Sequence, residues 1–436
     1  MNKYNTHTQF LDIWISKIPA RWQAHKMKHL FSERSEKGYP NEPLLVASQN
    51  MGVVPKNVYG NRTVEAQKDL HLLKLVRVGD FVISLRSFQG GLEYAYYQGI
   101  ISPAYTILIP HEPMSGSYFR YLAKSKPFIG LLTLCVTGIR EGQNIDYAKL
   151  KNHLLPVPPR EEQDQIVRFL DWKVSGINKL IAVKQKQIAT LKEFMQAEIE
   201  EQLYAYPVVS VVRLKQLGTF FKGGGFSRDN LVEDEDYPAI LYGDIYTQYE
   251  YKTSIITHHI DGNAYSTSRK ISKGDIVMAG TGETKDEIGK SILYMGEQIV
   301  AVGGDVIVFH PNEGTNVEYL LYQLYSQASL KHRYINGKGD IIVHIYPTAL
   351  GNTIITLPGE AEQNKAVARI NKIIDQVNKA ITVLTDEISV LREYRVRIVA
   401  DTVTGKIDVR GIDVPEYEYV EETIDDNNED CEEETE

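Results

Sequence analysis

Leu155-Pro156-Val157-Pro158-Pro159-Arg160-Glu161-Glu162-Gln163 opens one long apolar-periodic stretch of the chain, and Ile355-Thr356-Leu357-Pro358-Gly359-Glu360-Ala361-Glu362-Gln363 opens a second, 200 residues later. The two stretches stay in register without a gap. Val167, Leu170, Val174, Ile177, Ile181, Ile188, Leu191 and Met195 answer Val367, Ile370, Ile374, Val377, Ile381, Ile388, Leu391 and Arg395. Steps of three and four residues make a narrow apolar seam that suits pairing with another helix. Each helix is expected to begin just after a proline, whose missing N–H costs nothing there. Acidic residues in the first turn, Glu161 and Glu162 and then Glu360 and Glu362, complement the helix dipole. A helix of about 43 residues, ~65 Å long, needs a partner in water, and each of these two can supply the other. An antiparallel pair puts the globular parts at opposite ends of a rod and relates the two halves by a pseudo-two-fold axis. Lys184 stands where Leu384 fills the seam, and Arg395 where Met195 does; both are read as long side chains snorkelling from the seam edge, the alternative being a register device or partner contact.

The segments ahead of the helices are duplicated more loosely. Lys26-Met27-Lys28 corresponds to Arg213-Leu214-Lys215, and Val78-Gly79-Asp80-Phe81-Val82-Ile83 to Lys273-Gly274-Asp275-Ile276-Val277-Met278. The offset between copies changes along the chain, so insertions fall in the globular parts while the helices keep their length. Short β-type runs with Gly and Pro punctuation give a strand-rich domain in each copy and an α+β class overall. The expected division is a first globular domain over 1–157, a helix over 158–204, a second globular domain over 205–357 and a helix over 358–410. An acidic disordered tail is expected over 411–436.

The net charge of -9 is a property of that tail. Residues 413–436 hold thirteen Asp or Glu and no Lys or Arg, which leaves 44 acids against 48 bases, or +4, for the rest. A mildly basic body is compatible with DNA binding without requiring it. The tail reads as a solubilising extension, the alternative being an intramolecular competitor for DNA. With 43% hydrophobic and 24% charged residues, no apolar signal core at the N-terminus and only Cys135 and Cys431, the chain is expected to be cytoplasmic, without a disulfide framework and without a membrane anchor. The 27 tyrosines are mostly expected to be buried with a bonded hydroxyl.

Catalytic motifs fail in turn. Gly289-Lys290-Ser291 ends like a phosphate-binding loop, but Thr284 stands at the position of its first glycine. Gly280-Thr281-Gly282 has no third glycine at dinucleotide-binding spacing. Asp275 with Glu283 and Lys285 imitates a metal-dependent nuclease, yet the first copy has Ser87-Phe88-Gln89 thereabouts, so coincidence is the better reading. The histidines show no HExxH spacing, and the Pro-Pro pair lacks the flanks of an amino-methyltransferase motif.

Loops at corresponding positions instead carry groups suited to nucleic acid. The candidates are Arg86, Ser87, Gln89, Arg140, Gln143 and Asn144 in the first copy and Thr281, Lys285, Lys338 and His344 in the second. Arginine reads guanine edges and Asn or Gln reads adenine, while Lys and Ser mostly hold phosphate. Equivalent loops differ in chemistry, as two related domains reading different sequences require. The candidate partner-helix seam comprises Val167, Leu170, Ile177, Ile181, Ile188, Leu191, Ile370, Ile374, Val377, Ile381, Leu384, Ile388 and Leu391.

With these features in place, the chain resembles the specificity (S) subunit of type I restriction-modification systems. The resemblance is carried by Trp14-Ile15-Ser16-Lys17-Ile18-Pro19-Ala20-Arg21-Trp22, the Gly-Asp segments, the Leu-Pro, Pro-Pro, Glu-Gln opening of the central helix and Val403-Thr404-Gly405-Lys406-Ile407-Asp408-Val409-Arg410, and it spans residues 10–410. It implies two target-recognition domains, each reading one half of a bipartite double-stranded DNA site, on an antiparallel coiled coil that docks two modification subunits. S-adenosylmethionine, ATP and Mg would then belong to the modification and restriction subunits, with no cofactor or metal on this chain. The rival readings are a protein-only coiled-coil scaffold and a self-sufficient methyltransferase or nuclease.

Overall fold

The computed structural model describes residues 3–59, 69–138, 144–233 and 237–421. Two helices dominate it, Arg160–Tyr204 and Glu360–Val403. They do not form a separate domain. One compact unit joins residues 1–186 to 384–436, and the other is the continuous segment 187–383, so each globular domain packs with the near half of one long helix and the far half of the other.

Within each unit the helix halves run antiparallel. In the first, Lys184 Nζ meets Glu387 Oε2 at 2.5 Å and Arg395 Nη1 donates to Asn178 Oδ1 at 2.9 Å; in the second, Arg369 Nη1 reaches Gln202 Oε1 at 3.4 Å. Lys184 and Arg395 thus make polar contacts across the pair, which favours the register-device reading over snorkelling. The seam is otherwise apolar. Leu170, Ile177, Ile181, Ile370, Val377 and Ile388 are buried, and Val167, Ile188, Leu191, Ile374, Ile381, Leu384 and Leu391 half-buried.

Each globular domain also seals a helix end. Tyr118, on the short helix Gly116–Ala123, donates its hydroxyl to the Val403 carbonyl at 2.8 Å, and its counterpart Tyr319, on Val317–Leu324, donates to the Leu203 carbonyl at 3.2 Å. The last carbonyls of a helix have no partner within it, so each such bond contributes about 1 kcal/mol and spares a buried acceptor. Burial pushes the Tyr118 hydroxyl's pKa well above its ordinary value, which keeps it a neutral donor.

The first domain is built on a four-stranded sheet in the order Phe31–Arg34, Thr106–Pro110, Phe81–Ile83, Glu93–Tyr94. The second has two five-stranded sheets. One runs Gly218–Lys222, Val306–Pro311, Ile276–Ala279, Ser291–Tyr294, Lys252–Thr253, and repeats the first domain's arrangement with one strand added. The other runs Leu231–Val232, His258–Ile260, Pro238–Ile240, Val300–Val302, Arg269–Ile271. In both domains an antiparallel pair leads into the long helix, Gln23–Lys26 with Leu154–Val157 and Ser210–Arg213 with Ile354–Leu357.

The Gly-Asp motif closes a turn in each copy. Gly79 and Gly274 take φ of 94° and 95°, where a side chain would be strained. The following aspartate is buried and accepts from the backbone N–H three residues back, Arg77 to Asp80 and Ser272 to Asp275, each at 2.8 Å. Asp80 is further gripped by Arg34 through Nε at 2.7 Å and Nη2 at 3.1 Å, and Asp275 by His310 Nδ1 at 2.6 Å. Both oxygens of Asp275 are thus held inside the fold, which is why its resemblance to a nuclease carboxylate goes no further.

Residues 411–421 do not match the disordered tail expected over 411–436; the rest of that tail, 422–436, lies outside the described residues. The Ile412 carbonyl accepts from Gln165 Nε2 at 2.7 Å, Ser175 Oγ donates to the Glu418 carbonyl at 2.9 Å and accepts from Val420 N at 2.8 Å, and Asn178 Nδ2 donates to the Val420 carbonyl at 3.1 Å. Among the described residues these hydrogen bonds of the strap go to the first long helix. Ser175 corresponds to Asp375 in the second, which pairs instead with Lys379 at 2.7 Å. Replacing Ser175 with Asp should remove a donor and set a carboxylate against Glu418, releasing the strap at a cost of about 1–2 kcal/mol. Hydrogen exchange of residues 416–421 should rise in S175D while that of Arg160–Leu170 is unchanged; unaltered exchange at 416–421 would show that Ser175 does not hold it.

Candidate nucleic-acid interface

In each domain the strand after the Gly-Asp turn delivers a polar loop, and the segment preceding the long helix delivers a second. In the first domain Phe81–Ile83 runs into Ser84 and the short helix Ser87–Gly90. This turn packs against the helix Lys126–Leu134 and the strand Asn144–Ile145, and Thr133 Oγ1 donates to the Phe88 carbonyl at 3.3 Å. Arg86, Gln89 and Asn144 are exposed on neighbouring elements. Ser87 is not available to a ligand: it is fully buried, and its Oγ accepts from Ser84 N at 2.8 Å. Its role is to hold the loop that presents Arg86. Arg140 and Gln143 lie outside the described residues.

The second domain brings Thr281, His344 and Lys338 together. Thr281–Gly282 pairs antiparallel with Val343–His344, and Lys338 and His344 exchange backbone bonds at 2.9 and 2.8 Å. Thr281 is buried, with Oγ1 3.0 Å from His344 Nδ1. Like Ser87 it orients a neighbour and is itself shielded. Lys338 is exposed and Lys285 half-exposed, on a loop that returns at Ile288, whose side chain abuts both Gly282 and Gly337. The surroundings are mixed in charge, since Glu283, Asp286, Glu287 and Asp340 share these loops. A surface of that kind would neutralise few phosphates.

Gly289-Lys290-Ser291 sits in a turn that enters a strand. Gly289 has φ of 73° and leaves room for Arg333, Lys290 Nζ donates to the Tyr246 carbonyl at 3.2 Å, and Ser291 begins the strand. Burial lowers the pKa of the Lys290 ammonium and that of the fully enclosed Arg333 guanidinium, the latter to about 10. These cations face inward and serve packing rather than phosphate.

Ile341 and Ile342, at the tip of the Lys338–His344 hairpin and not among the residues picked out from the sequence, are both exposed. Their only sequence signal is two adjacent isoleucines in a loop bounded by glycine and histidine. No helix among the described residues is long and apolar enough to cross a membrane.

Residues 208–389 match the family described as type I restriction modification DNA specificity domain. No curated protein matches the chain. Among solved structures, a chain from "Structural basis underlying complex assembly and conformational transition of the type I R-M system" is similar over 89% of this chain and 99% of that one, at 16% identity and a TM-score of 0.66, and shares its fold. The HsdS subunit from Thermoanaerobacter tengcongensis also matches, at 16% identity over 89% of this chain and 98% of that one, with a TM-score of 0.45. So does the type I S subunit from M. genitalium, at 16% identity over 92% and 99%, with a TM-score of 0.35. Residues 208–389 thus carry a type I restriction modification DNA specificity domain, and the segment before them repeats the same strand, turn and helix arrangement.

Proposed function

We propose that each globular domain reads one half of a bipartite DNA site and that the long helices dock two modification subunits, the chain supplying the address and its partners the chemistry. Restriction subunits then join that assembly. S-adenosylmethionine, ATP and Mg act on the partner subunits in this reading.

The observation that carries it is a repeated scaffold with unrepeated loop chemistry. The seam, the tyrosine seals and the Gly-Asp turns recur in both copies, whereas Arg86, Gln89 and Asn144 in one answer to Lys285, Lys338 and His344 in the other. The partner reading is supported by apolar side chains on the outer faces of the helices. Val183 and Phe194 are exposed on the first helix, and Val383 and Tyr394 at the same positions of the second. Each pair is eleven residues apart, about three turns, and so lies on one helical face. Exposed apolar residues repeated in this way suit two copies of one partner.

Mapping methylated bases in a host that carries this chain with its modification partner tests the proposal by returning both half-sites at once. Substituting Arg86 or Gln89 with Ala should relax one half-site, by ~1–3 kcal/mol if the side chain reads a base, and substituting Lys285 or Lys338 should affect the other. A residue whose loss weakens binding to all sequences alike and mainly reduces the salt dependence is a phosphate contact. Absence of any two-part motif would overturn the reading.

A further inference from the structure

We infer that Ile341 and Ile342 are specificity-determining residues of the second recognition domain, making apolar contact with the C5-methyl groups of thymines in its half-site. The inference rests on the proposed reading of one half-site by each domain and names residues that do part of that reading.

The tip is built to be displayed. Its root is fixed by the paired backbone bonds of Lys338 and His344, by the strand pairing of Val343–His344 with Thr281–Gly282, and by the contact of Thr281 Oγ1 with His344. Gly339 turns the chain at φ of 113°, and a Cβ there would lie 2.0 Å from the Ile342 carbonyl oxygen, so the turn admits only glycine. Beyond this root Ile341 is 79% and Ile342 55% exposed, while the next residue, Val343, is buried in the core. Two large aliphatic side chains held largely out of the core by a rigid hairpin contribute little to folding, and exposure of that kind marks a contact surface.

What meets them follows from the first copy. Ile145 and Ile345 are equivalent, and stepping back from them places Glu141 and Gly142 where the second copy has Ile341 and Ile342. A surface for a partner shared by both halves should be repeated, as Val183 and Phe194 are by Val383 and Tyr394; this tip is not. The isoleucine pair occurs in one copy of the sequence alone, as residues that read only one of two different DNA sequences would. A hairpin is narrow enough to enter the major groove, where the thymine methyl is the apolar feature that aliphatic side chains read, and Lys338 and His344 at the root supply donors beside it.

The experiment uses the full chain assembled with its modification subunits. Methylated-base mapping of the wild type defines both half-sites, and its failure to give a two-part motif would count against the proposed function rather than this inference. With the motif in hand, I341A/I342A should lose preference at one or two T·A positions of one half-site only, whereas Ile255→Ala, at an equally exposed isoleucine of the same domain, should leave the motif intact. In binding assays, uracil in place of thymine at those positions should weaken the wild type about tenfold and the double variant no further. A motif unchanged in I341A/I342A, wild-type binding indifferent to uracil, or failure of the variant to assemble with its partners would each overturn the inference, the last by showing that the tip docks protein.

Discussion

Asp80→Ala should destabilise the unit formed by residues 1–186 and 384–436 by about 3–5 kcal/mol, whereas the equivalent Asp275→Ala should cost the other unit only about 1–2 kcal/mol. The motif is the same and the turn it closes is the same; the partner differs. Asp80 is buried against Arg34, itself only 8% exposed at its side chain, so its removal strands a cation that remains paired only with the partly exposed Glu36. His310, which grips Asp275, has a side chain 60% exposed and can turn to water. Urea denaturation of the full chain should show two transitions, with D80A shifting one and D275A the other. R34M/D80N should recover most of the loss, because Asn keeps an acceptor for Arg77 N while the buried charge is gone. Equal costs for the two aspartates would refute the argument.

Under the proposed division of labour the paired helices set the spacing of the half-sites. Inserting one heptad after Ile181 and another after Ile381 preserves the antiparallel seam and lengthens the joining segment by ~10 Å, about three base pairs of B-DNA at 3.4 Å each. Both half-site sequences should survive while the preferred spacer grows, and methylation of the original site should fall on the order of a hundredfold, since one recognition domain must give up its contacts there. The added base pairs also rotate one half-site by about a quarter turn, so weak binding to every spacer agrees with the idea. Methylation of the unchanged site at the wild-type rate does not, and would show that something else measures the distance.

The long helices were legible because an apolar step of three or four residues persists over some forty positions, and every seam residue named from it is buried or half-buried. What sequence could not supply was who stands opposite. Lys184 and Arg395 read as snorkelling side chains or as a register device, and only the facing Glu387 and Asn178 decide between the two. Ser87 and Thr281 stand in corresponding loops whose chemistry differs between the copies, which reads as ligand contact, but a hydroxyl that satisfies its own backbone or a neighbouring histidine is equally at home there. The strap was hidden by averaging: Glu416-Tyr417-Glu418-Tyr419-Val420 alternates as an extended segment does, yet its composition was pooled with the acidic run after it.

The two units differ in how they are strung. Residues 187–383 are continuous, while the unit that begins at the N-terminus needs residues 384–436 for the far half of its helix pair, its Tyr118 seal and its strap. On a ribosome adding ~5–20 residues per second, roughly 10–40 s separate synthesis of residue 186 from that of residue 384. The domain made first is therefore finished last. During that interval Leu170, Ile177 and Ile181 have emerged without Ile388, Leu391 and Ile398 to cover them, so the nascent chain presents a helix seam open to any partner before its own second half arrives.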